Sequence, residues 1–150
     1  MTAKKPKFTI AGIDPEIRAN QGHEFEIVDP TTCEDDENGL PDYSTGSGTG
    51  MFITVVGKES TAFKQAARRK VNEARKRLMG NKKSPTIEDD ISDSIDLYAA
   101  CTTGWRGVVL NEDEGELPFT PENVRKLYAF DFVRAQVEAQ IMKREVFTPG

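Results

Sequence analysis

The sequence predicts an α+β fold: a small N-terminal antiparallel β-hairpin element packed on a mainly α-helical body of about four helices. Three observations carry this. Residues 24–30 (EFEIVDP) alternate acidic and apolar side chains, the period of a half-buried strand. Residues 51–60 (MFITVVGKES) open with a β-branched and aromatic run, a second strand. From Ser60 onward the apolar residues fall at helical spacing, with capping residues at the boundaries.

Residues 1–23 are punctuated by Pro and Gly and read as an extended arm, with a short strand at 7–10. A single domain follows over 24–147. The strand at 24–30 stops at Asp29-Pro30, and residues 31–48 are polar, acidic and Gly/Ser-rich, which predicts a flexible loop. The two strands pair across that loop, and helices must cover one face because a lone hairpin is marginal.

Ser60 opens a helix whose apolar stripe is Phe63, Ala67, Val71, Ala74 and Leu78. Its basic face is Lys64, Arg68, Arg69, Arg75, Lys76 and Arg77. Gly80-Asn81 ends it as a left-handed stop, and residues 82–85 form a linker. Thr86 caps the next helix, with Asp89 as the reciprocal acid and Ile87, Ile91, Ile95 and Tyr98 as its apolar face. Gly104 is placed to end it, so that Trp105 folds back over the last turn as part of a core clasp. Thr120-Pro121-Glu122 starts a third helix, with Phe119 as its hydrophobic staple toward Val124. Asp131 caps a last helix carrying Val133, Val137 and Ile141, and residues 148–150 are a frayed tail. The predicted core comprises Phe25, Ile27, Phe52, Val55, Phe63, Val71, Leu78 and Ile91. It continues through Ile95, Tyr98, Trp105, Leu110, Phe119, Leu127, Val133 and Val137.

Composition narrows the function. The 150 residues carry 30% charged and 37% hydrophobic side chains, with net charge -5. That balance argues against nucleic acid as the partner of the whole chain. The charge is segregated: ten acids and one base over 14–42, ten bases and two acids over 58–83, nine acids and one base over 84–116. Such blocks pair with each other or face a partner. No apolar run approaches a membrane span, and no apolar leader follows the basic N-terminus, so a soluble, non-secreted protein is expected.

The chemistry-bearing residues form no catalytic set. Cys33, Cys101 and the one histidine, His23, lack the spacing of a zinc site. GSGTG at 46–50 is not a phosphate loop and precedes a strand rather than a helix. Asp89-Asp90 and Glu34–Glu37 lack the alternation of a calcium loop. No enzyme activity, metal or cofactor is expected. The basic helix at 60–79 could dock on phosphates, but no aromatics interleave its bases, and a solvated face is the better account.

Several words in the chain occur together in one family. TVVGKES at 54–60, LYAACTTGWRGVVL at 97–110, LPFTPENVRKLY at 117–128 and the amphipathic segment 130–147 follow in order. In these the sequence resembles the tail assembly chaperones of long-tailed bacteriophages. The long acidic loop and the N-terminal arm depart from that family's compact pattern. The resemblance implies a non-catalytic protein that keeps the long, helical tape-measure protein soluble and promotes assembly of the tail-tube protein around it. It implies action in the host cytoplasm, absence from the finished particle, and no membrane; a homo-oligomer is compatible with it. Such a client needs an apolar groove, expected here from Trp105, Tyr128, Phe130, Phe132, Val133, Val137, Ile141 and Met142. Two other functions compete: a structural tail subunit (tube, terminator or connector), and a DNA-binding regulator using the basic helix.

Overall fold

The computed structural model describes residues 9–80 and 86–147. They form an α+β architecture in which one face of an antiparallel sheet is covered by helices. The helices are α1 (Ile10–Ile13), α2 (Pro15–Asn20), α3 (Thr61–Met79), α4 (Ile87–Ala100), α5 (Pro121–Tyr128) and α6 (Asp131–Met142). The strands are β1 (His23–Val28), β2 (Glu34–Asp35), β3 (Pro41–Asp42), β4 (Gly48–Val55) and β5 (Thr102–Arg106). A 3-10 turn, Arg144–Phe147, follows α6.

The main sheet runs β1-β4-β5, all antiparallel. Phe25 pairs with Ile53, and Ile53 with Trp105, so these three share the inner face. The expected hairpin therefore gains a third strand, from the segment read as a turn after α4. That helix ends at Cys101, and the Thr-Gly-Trp word continues at once as β5. On the outer face Arg106 spans the sheet. Its guanidinium lies 4.0 Å from the Phe52 ring centroid and donates to both Glu24 carboxylate oxygens, at 3.1 and 2.9 Å. Phe52 is consequently an outer-face residue; Ile53 and Val55 are the buried side chains of β4.

The inner face packs against Ile95 and Tyr98 of α4, Val124, Leu127 and Tyr128 of α5, and Val133, Val137 and Ile141 of α6. Buried Gln136 accepts from the Val28 N–H (2.8 Å) and donates to the Val28 carbonyl (3.0 Å), satisfying β1 where its register slips.

Other expectations change. The arm at 1–23 is not extended over its described part: Asp14 caps α2, accepting from Glu16 N–H, and Pro15 sits at the first helical position. Residues 31–48 hold the β2–β3 ribbon, set by side-chain caps such as Asp36 Oδ1 accepting from the Asn38 and Leu40 amides. Gly80 has φ -93, so α3 does not end there in a left-handed residue. Phe130, not Asp131, is the N-cap residue of α6, without a side-chain cap; Asp131 is already helical and pairs with Arg134 at 2.6 Å. Val71, Leu78, Ile91 and Phe119 are exposed rather than core, and Phe63, Trp105 and Leu110 are half-buried. The strand at 7–8, the Asn81 stop, the 82–85 linker and the 148–150 tail lie outside the described residues.

Candidate functional site

The segment Val56–Ser60, inside the TVVGKES word, ties four elements together. Successive amides of Val56, Gly57 and Lys58 donate to Cys101 O (2.8 Å), Ala19 O (3.1 Å) and Ile141 O (3.0 Å), at the ends of α4, α2 and α6. Fully buried Ser60 then caps α3, its hydroxyl accepting from Phe63 N–H. Gly57 has no room for a side chain: a Cβ there would lie 2.9 Å from the Phe147 ring and 3.2 Å from the Ala19 methyl. The close approach is what the glycine permits.

Around this segment opens a groove of about 350 Å³. Its apolar lining is Ile13, Pro15, Ala19, Ile141 and Phe147, and Arg18, whose guanidinium donates to Gly12 O, Lys58 and Glu59 line it as well. Phe147 is held by an edge-on contact with His23, centroids 6.0 Å apart. The α2 wall is anchored to α3: Glu16 pairs with Lys64 Nζ at 2.7 Å and accepts from Thr61 Oγ1. The Lys64 bond, then the Thr61 bond, hold the Glu16 carboxyl below its ordinary range. A second, larger cleft of about 710 Å³ lies between α3, α4 and α5, bordered by charges of both signs, among them the Asp96–Arg125 ion pair.

The expected client residues divide. Tyr128, Val133, Val137 and Ile141 are buried core, because α6 turns its i, i+4, i+8 stripe onto the sheet. Of these, Ile141 alone also lines the groove. Phe130 is exposed and lies 6.3 Å, ring to ring, from half-buried Phe132; Met142 is half-buried. Trp105 is clasp rather than groove. Its Nε1–H donates to Leu117 O (2.8 Å), and its ring meets Phe119 edge-on at 5.0 Å. The Phe119 ring thus packs on Trp105, and Phe119 and Val124 line the same cleft. Gly107 completes the clasp at φ +72, where a Cβ would sit 2.6 Å from Gly50 O. On the basic face Lys64 is taken by Glu16, Arg68, Arg69, Arg75 and Lys76 are exposed, and Arg77 lies near Asp89.

Sequence reasoning missed Ile13, Ala19 and Phe147. The signal for the first two was present: Asp14-Pro15-Glu16 repeats the cap–Pro–acid order of Thr120-Pro121-Glu122. Nothing in the sequence placed Phe147 beside Gly57.

Among the described residues, no three His, Cys, Asp or Glu side chains are grouped to hold a metal, and no helix is long and apolar enough to cross a membrane. Comparison with known protein families, curated proteins and solved structures found no match.

Proposed function

We propose that this chain is a non-catalytic tail assembly chaperone that binds an apolar, helical segment of a tape-measure protein. The observation that carries the proposal is the groove at Gly57–Glu59. It is lined in part by one of the words through which the sequence resembles that family, and it combines apolar Ile13, Ala19, Ile141 and Phe147 with charged Arg18, Lys58 and Glu59. An amphipathic client helix would place an apolar side chain against Ile13, Ala19, Ile141 and Phe147, with acidic neighbours toward Arg18 and Lys58. Promotion of tail-tube assembly and action in the host cytoplasm belong to the same proposal.

Val137 is fully buried, so Val137→Asp is expected to unfold the protein and to test nothing about a client. Ile13, half-exposed at the groove mouth, is the better probe. In co-expression with a tape-measure protein, the wild-type chain is expected to keep the client soluble and co-elute with it. Ile13→Asp is expected to lose both while staying folded, and Leu40→Asp, on the exposed β2–β3 ribbon, to lose neither. Full client rescue by Ile13→Asp would count against the groove.

A further inference from the structure

The α3–α4 hairpin reaches beyond the core that supports it. α3 has 19 residues, roughly 28 Å of helix, and Ala66 is its sole buried residue. The buried residues of α4 begin only at Ile95. The outer half of the hairpin leaves Leu78 81% and Ile87 75% exposed, with Val71, Met79 and Ile91 exposed beside them in sequence. Helices this poorly buried gain little from their own propensity in water. An apolar stripe left in solvent marks a surface that something covers.

The charges say what covers it. α3 carries seven bases and one acid, while α4 carries five acids and no base. Among the described residues no ion pair within 4 Å joins the two helices, although Arg77 of α3 lies near Asp89 of α4; α3's one close ion pair goes to Glu16 of α2, and Arg75 and Lys76 are left exposed. Both signs thus lie on one hairpin, on separate helices. A two-fold operation exchanges the helices, bringing the basic helix of each copy onto the acidic helix of the other. A single-signed partner would satisfy one helix and be repelled by the other.

We infer that the hairpin is a homodimerisation surface: two copies pair through it as a four-helix layer, covering Val71, Leu78, Ile87 and Ile91 and matching Arg75 and Lys76 with the partner copy's acidic helix. These residues are separate from the Gly57 groove, so each copy keeps its client site.

Sedimentation velocity of the full chain tests this. The wild type is expected at twice the 16.7 kDa chain mass, with weaker association at high salt. Leu78→Asp is expected to halve the mass with an unchanged circular dichroism spectrum, since Leu78 contributes nothing to the core. Arg75→Glu/Lys76→Glu and Glu88→Lys/Asp90→Lys are each expected to be monomeric alone and to form a 1:1 dimer when mixed. A monomeric wild type, a dimer indifferent to Leu78→Asp, or a mixture that stays monomeric would each overturn the inference.

Discussion

At the scale of single residues, the most consequential positions are those where an atom more or less has nowhere to go. Gly57 is one. Adding a methyl forces Phe147 or Ala19 to move, and Gly57→Ala is expected to cost about 1–3 kcal/mol by overpacking. A urea midpoint lower than wild type checks this; an unchanged midpoint would mean that Phe147 yields freely. The glycine was visible in the sequence as part of the TVVGKES stretch. Its reason was not, because Phe147 lies ninety positions away. Buried ionisable groups set a second expectation. Burial pushes the Cys101 thiol up from 9.0 to about 12, and burial, then the Glu138 bond, pushes the Tyr98 phenol up from 10.0 to about 12. Tyr128 is raised as well, again by burial. The folded state therefore favours the neutral forms. The stability these groups contribute is fully present below about pH 9 and is lost as pH climbs toward about 12, since the unfolded chain releases these protons earlier. Tyrosinate absorbance from Tyr98 and Tyr128 should appear together with unfolding. Ionisation of both in a still-folded chain would contradict it.

At the scale of elements, boundaries were legible wherever a side chain caps a helix. Ser60, Thr86 and Thr120 each accept from the amide expected of them, and Thr86–Asp89 forms the reciprocal box. The same logic was overlooked at Asp14-Pro15, where surrounding Pro and Gly suggested an arm. β5 was missed for a different reason: five residues with a central glycine carry too little alternation to mark a strand, and the partner β4 supplies the order. The clasp between β5 and α5 can be tested directly. Phe119→Ala removes the edge contact on Trp105 but leaves its bond to Leu117 O. The single tryptophan's emission should shift to longer wavelength, with a stability loss of about 1 kcal/mol. An unshifted spectrum would mean that Phe119 does not shield the indole.

At the scale of the whole molecule, the α+β class and the helical cover of one sheet face followed from periodicity, but the distribution of burial did not. Period alone marks an amphipathic stripe; it does not say whether a core lies opposite. The stripe of α6 meets the sheet and is buried, so it cannot border a client groove along its length. The stripe of α3 runs past the body and stays in solvent, so Val71 and Leu78 are surface. The acid–base segregation read from the sequence persists as a difference between α3 and α4, separate from the groove built by α2, the Val56–Ser60 segment and the end of α6. The central claim is that this groove seats an apolar helical client. The most direct measurement is photocrosslinking from a benzophenone side chain at position 13 in the full chain, co-expressed with a tape-measure protein, with position 40 as control. The account predicts a crosslink from position 13, mapping to an amphipathic helical segment of the client, and none from position 40. Equal labelling from the two positions, or none from position 13 while the proteins co-elute, would place the client elsewhere and contradict it.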